Sequence, residues 1–126
     1  MLELAAAAFL VLHGVIHLAY ATPKREDPRY PFVPERTWFA TAVHLPPAPA
    51  RAAFATLAAA TTAAYVLAAV GLVIDASWWG PAAVAGSALS LIELVLGFHV
   101  WLVLGVAIDV AIVYTVVSAH WPASLF

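Results

Sequence analysis

The 126-residue chain contains no cysteine. A disulfide framework, a thiolate metal site and a cysteine nucleophile are therefore excluded. Charge is scarce as well: Asp, Glu, Lys and Arg make up 10% of the residues, against about 25% in an ordinary soluble domain. The five cationic residues, Lys24, Arg25, Arg29, Arg36 and Arg51, all fall in one segment. No basic patch exists elsewhere, which argues against a nucleic-acid partner. Glycine-rich phosphate loops, nucleophile elbows and Glu-x-x-His pairs are all missing, so nothing points to nucleotide-driven transport, serine hydrolysis or a di-iron bundle.

What remains is oil. The chain is 65% hydrophobic with a mean hydropathy of +0.98, too apolar for a water-facing surface, so its solvent is the lipid bilayer. Four apolar segments emerge, at about 2–21, 52–74, 81–97 and 102–119. The expected fold is one all-α domain over 1–126, a four-transmembrane-helix bundle with a Pro-rich loop between helices 1 and 2. The stretch from Ala82 to Ala119 is too long for one crossing of roughly 20 residues. Gly97 and Gly105 bracket the expected hairpin. Ala19-Tyr20-Ala21 has the form of a cleavage site, but Glu3 and the lack of Lys or Arg ahead of the apolar run favour a retained span over a signal peptide.

The connection 22–51 holds seven of the nine prolines. Pro28, Pro31, Pro34, Pro46, Pro47 and Pro49 rule out a continuous helix there. Glu35 to Leu45 can form a short amphipathic piece at the interface, with Trp38 and Phe39 in the headgroups. The cationic residues make this loop cytoplasmic by the positive-inside rule, which places both termini outside. Trp78, Trp79 and Trp121 would then anchor the outer interface and Trp101 the inner one. The alanine-rich second span reads as a packing surface, as does the small-residue pair Gly86 and Ser90.

Against this background His13 and His17 stand out, two imidazoles one helical turn apart inside the first span. Ionisable groups at membrane depth are costly, and by default they mark a site. Glu93 and Asp109 fall in the same slab of the bundle, all four within about 3–9 Å of the midplane at 1.5 Å per residue. They are expected to point inward and meet. Tyr20 lies near the histidine face, and Ser90 sits one turn before Glu93, where it can hydrogen-bond to it. Gly14 admits a neighbouring helix or a ligand. Asp75 is expected to end the second span, and Tyr65 and Tyr114 to be packing aromatics.

Four readings of this cluster stand open. It is a buried polar network, or a site for a ligand, substrate or proton. As a metal site it would use His13, His17 and Glu93, with Zn or Fe as the ion. As a haem site it would pair His99 with His13 or His17. The function expected is an integral membrane binding protein or subunit, with an intramembrane His/Glu/Asp site for a lipophilic ligand, a proton or a partner. The alternative is a metal-dependent or haem-containing membrane hydrolase or oxidoreductase. A homo-oligomer or a larger membrane complex is compatible with either.

HGVIHL in span 1, ERTWF in the loop, SWW before span 3, GSALSL within it and LGVAIDV in span 4 together resemble a group of small four-span bacterial membrane proteins that open with an HG-x-x-HL signature. The resemblance implies a multi-pass protein of the bacterial inner membrane and a role for His13 and His17. It implies no reaction type.

Overall fold

The computed structural model describes residues 1–120, so Trp121 lies outside the described residues. Within them the secondary structure is helical, with no strand. Helix α1 spans Leu2–Ile16 and continues as a 3-10 turn, His17–Ala21; α2 is the short Trp38–Ala42; α3 spans Pro47–Val73, α4 Trp79–Leu96 and α5 Val103–Val117. Four helical stretches, Leu2–Ala21, Pro47–Val73, Trp79–Leu96 and Val100–Val117, are long and apolar enough to cross a membrane.

The boundaries depart from the sequence expectation in instructive places. Helix α3 begins at Pro47 rather than 52, so Pro47 and Pro49 lie in its first turn instead of in a loop. Proline costs nothing there, because the first N–H groups of a helix have no intrahelical acceptor. Gly105 lies inside α5 rather than at the end of a hairpin. The α4–α5 connection is only Gly97 to Leu102, closed by a 3-10 turn over Val100–Leu102. Helices α2 and α3 are followed by His44 (φ 53°) and Asp75 (φ 54°), left-handed residues of the type that tolerates this region best. The next N–H in each case returns to the helix, Leu45 to the Ala40 carbonyl and Ala76 to the Gly71 carbonyl, both at 2.8 Å, in the usual manner of a helix stop.

Helix α3 is the spine. It packs on α1 along one side and on α4 along the other, and α4 in turn carries α5. The small residues of α3 serve this role: Ala58, Ala68 and Ala69 are buried together with Thr61 and Tyr65. Two glycines permit the close approach. A Cβ on Gly14 of α1 would stand 2.8 Å from Tyr65 Cβ, and one on Gly86 of α4 would stand 3.2 Å from the same ring. Tyr65 is thus enclosed by two helices where neither carries a side chain. Helix α5 is the least covered of the four, burying only Asp109 and Ile112.

The connection from Thr22 to Pro46 folds back under the bundle. Thr37 caps α2 by accepting from the Ala40 N–H at 3.3 Å, and Trp38 donates its indole N–H to the Val95 carbonyl at 2.6 Å. The ordered helix is therefore shorter than the Glu35–Leu45 piece expected, and the indole is half-exposed. Glu35 Oε1 accepts from Arg25 at 2.7 Å and from Arg51 at 2.6 Å, which ties the loop to the start of α3. Burial alone would raise the Glu35 carboxyl, but the hydrogen bonds from Arg25, its local backbone and Arg51 outweigh it and hold the group at about 2 against an ordinary 4.5. The stabilisation from this contact is complete above pH 4.5 and fades as pH falls toward about 2. Both arginines are well exposed, so the contact contributes under ~1 kcal/mol. Amide protection factors at residues 25–36, taken against the intrinsic exchange rate at each pH, are expected to fall over that acid window in the wild type. Glu35→Gln should show the lower protection at every pH above it.

Candidate functional site

Histidine, serine, tyrosine and carboxylate side chains from every long helix meet in the bundle interior. His13 comes from the last turn of α1 and His17 from the first residue of the 3-10 turn. Tyr65 comes from α3, Ser87, Ser90 and Glu93 from α4, and Asp109 from α5. On α4 these three residues lie three apart, which sets them on one face. All seven are buried; Tyr65, Ser87, Ser90, Glu93 and Asp109 have no exposed surface, and His13, the most open, keeps only 8%.

The contacts form one continuous chain. Glu93 Oε2 lies 2.6 Å from His17 Nδ1, and His17 Nε2 lies 2.9 Å from Ser90 Oγ. The Ser90 hydroxyl donates to Asp109 Oδ2. Asp109 Oδ1 is 2.8 Å from His13 Nε2 and accepts from the Tyr65 hydroxyl at 2.6 Å. Tyr65 in turn meets Ser87 Oγ at 2.9 Å. Asp109 thus gathers three donors from three other helices. The two imidazoles are perpendicular, 5.6 Å between centroids, and His13 also meets the Tyr65 ring edge-on at 5.1 Å. No lysine or arginine takes part, because all five belong to residues 24–51.

Three polar atoms around this chain lack a hydrogen-bond partner among the described residues. Glu93 Oε1 is fully enclosed and has no hydrogen-bond partner among the described residues, and the same holds for Thr61 Oγ1 one turn from Tyr65. His13 Nδ1 also makes no hydrogen bond among the described residues, yet it is not sealed in by protein. With Nε2–H directed at Asp109, Nδ1 of neutral His13 presents a lone pair.

Four of the expected residues, His13, His17, Glu93 and Asp109, are brought together with Ser90. Ser90 does not bond to Glu93, as its position one turn away suggested; it bridges His17 and Asp109. Tyr20 makes no hydrogen bond to the chain among the described residues. Its hydroxyl reaches the Gly97 carbonyl at 3.4 Å, and its ring packs against Phe32 and Phe54. Tyr65, expected to be a packing aromatic, is a member, and so is Ser87, which nothing in the sequence singles out. The signal for Tyr65 was present: a tyrosine in an apolar span needs a partner for its hydroxyl.

The metal and haem readings gain nothing from this arrangement. Among the described residues, no three His, Asp or Glu converge as a donor group for a metal ion. His17 has both ring nitrogens engaged, and His13 turns its Nε2 to Asp109 rather than toward Glu93. His99 accepts from the Trp101 N–H at 3.3 Å in the α4–α5 turn and has no hydrogen bond to the chain.

Comparison with family models, characterised proteins and solved structures yields no match. The site must therefore be interpreted from its own geometry.

That geometry includes a groove. Helices α1 and α5 are bridged at His13 and Asp109 but do not pack along their lengths. Toward the start of α1 the gap between them holds about 390 Å³, lined by apolar residues such as Leu2, Phe9, Leu10, Leu72, Ile108 and Ala111. On the other side of the bridge lies a smaller space of about 170 Å³, touching His13, His17, Phe32, Leu94, Trp101 and Ile108. Ile108 borders both, and the Phe9 ring of the larger space stacks parallel to the His13 ring of the smaller one at 6.0 Å.

Proposed function

We propose that this chain is an integral membrane binding protein, taking a lipophilic molecule with a hydrogen-bonding head into the groove between α1 and α5. The observation that carries this reading is the smaller space of about 170 Å³ lined by His13, whose Nδ1 has no partner among the described residues while Asp109 holds its Nε2, with the apolar groove of about 390 Å³ beyond Ile108. A volume near 390 Å³ falls within the range of small-molecule sites. The head chemistry follows from the dyad. Neutral His13 accepts from a hydroxyl, and protonated His13 donates to a carbonyl, with Asp109 stabilising the imidazolium. The loop 22–51 is assigned to the cytoplasmic side on its five cationic residues, and the bilayer is assigned to a bacterial inner membrane on the HG-x-x-HL resemblance.

The test uses a photoactivatable long-chain alcohol added to the protein in lipid nanodiscs. Labelling is expected to concentrate on Leu10, Phe9 and Ile108, and Ala111→Trp, which fills the groove, should reduce it by about tenfold, equivalent to ~1.4 kcal/mol of binding. Even labelling of every outward face, unchanged by Ala111→Trp, would defeat the reading.

A further inference from the structure

We propose that Glu93, His17, Ser90 and Asp109 form a proton relay that connects the two buried carboxyl groups across the bundle. Three hydrogen bonds run in series: Glu93 to His17 at 2.6 Å, His17 to Ser90 at 2.9 Å, and Ser90 to Asp109. Both middle groups are amphoteric. A neutral imidazole donates from one nitrogen and accepts at the other, and a hydroxyl has one proton and two lone pairs. Each can therefore accept on one side while donating on the other, in either direction.

Counting protons shows two complete arrangements. In the first, Glu93 carries a proton on Oε2 and donates to His17 Nδ1, His17 Nε2–H donates to Ser90, and the Ser90 hydroxyl donates to ionised Asp109. In the second, Asp109 carries a proton on Oδ2 and donates to Ser90, Ser90 donates to His17 Nε2, and His17 Nδ1–H donates to ionised Glu93. Each of the three contacts holds one proton in both. Passing between them breaks one O–H bond at Glu93, one N–H bond at His17 and one O–H bond at Ser90. It forms one N–H bond at His17, one O–H bond at Ser90 and one O–H bond at Asp109. No electrons transfer and no hydrogen bond is lost. The net result is one proton moved from Glu93 to Asp109, with His17 changing tautomer.

The two ends differ in a way that suits exchange. Asp109 is fixed through its other oxygen by His13 and Tyr65. Glu93 Oε1 has no partner among the described residues although the residue has no exposed surface. The titratable groups facing the relay are His13 from α1, Tyr20 from the 3-10 turn and Tyr65 from α3, and no fixed cation biases it toward either end. The relay uses the same buried residues as the binding site but requires no occupant of the groove, so either can fail without the other.

Nitrogen-15 NMR of histidine-labelled protein in nanodiscs, with no added ligand, tests this directly. The relay predicts averaged, temperature-dependent shifts for both ring nitrogens of His17. Ser90→Ala should fix His17 in one tautomer, whereas Ser87→Ala, at the Tyr65 end, should leave the averaging intact. A second measurement needs no substitution: the carboxyl carbons of Glu93 and Asp109 should shift in opposite senses with temperature as one proton redistributes. A single fixed tautomer or a permanent imidazolium at His17 in the wild type overturns the proposal, as do temperature-independent carboxyl shifts.

Discussion

Asp109→Leu is expected to release α5 from the bundle. Lipid tails are as apolar as leucine, so apolar burial gives little drive for one membrane helix to join another; packing and interhelical hydrogen bonds do the joining. Helix α5 buries only Asp109 and Ile112. Asp109 is bonded by His13, Tyr65 and Ser90, each from a different helix. At ~0.6–1.7 kcal/mol for each such bond in a membrane, removing the three should cost about 2–5 kcal/mol. Denaturation in mixed detergent micelles measures that figure. A more specific readout is available because the chain has no cysteine: spin labels at Leu67 of α3 and Val110 of α5, both outward-facing, report on this helix alone. The distance distribution should be narrow in the wild type and broad in Asp109→Leu, with Asp109→Asn, which keeps one acceptor oxygen, in between. An unchanged distribution in Asp109→Leu would mean that packing alone seats α5.

Gly14→Ala should destabilise the protein, against the usual sign. In a helix interior alanine is better than glycine by about 0.8–1 kcal/mol. Here the added methyl would lie 2.8 Å from Tyr65 Cβ and 3.4 Å from Thr62 Cα. Neither is the far end of a flexible chain, so the helices must separate. Overpacking of this kind costs ~1–3 kcal/mol. Separation also strains two links on the same seam, the Thr62 hydroxyl to the Gly14 carbonyl at 2.8 Å and the edge-on contact of His13 with Tyr65. The variant is therefore expected to unfold at lower denaturant and to perturb the His13 ring signals. An exposed position on the same helix, Leu12→Ala, should do neither. Stabilisation by Gly14→Ala would be incompatible with close apposition of α1 and α3 at Tyr65.

Much of this architecture can be read from the chain. Four apolar stretches separated by turn residues, with cations confined to one connection, give four helices of spanning length. The departures lie at the element ends. Pro47 and Pro49 looked like loop residues, yet the first turn of a helix accepts proline. Gly105 has the look of a hairpin end, yet it lies inside α5, where a Cβ would stand 3.0 Å from the Leu94 side chain of α4. The inward direction of His13, His17, Glu93 and Asp109 follows from solvation alone, since lipid offers these groups no partner. The membership of Tyr65 and Ser87 does not, because tyrosine and serine can also reside in a span as packing residues or bonded to their own backbone.

The sequence by itself determined that His13, His17, Glu93 and Asp109 turn inward, and it did so through hydropathy and the cost of unpaired polar groups in hydrocarbon. Only the tertiary structure decided which of them pair: His13 with Asp109, His17 with Glu93, and Ser90 between the two acids rather than beside Glu93. Helical periodicity fixes the face on which a residue lies, but not how far one helix is rotated or slid against the next. Those two settings come from sterics between distant positions, above all the seating of Tyr65 between Gly14 and Gly86, and a shift of a single turn there would give each histidine a different partner.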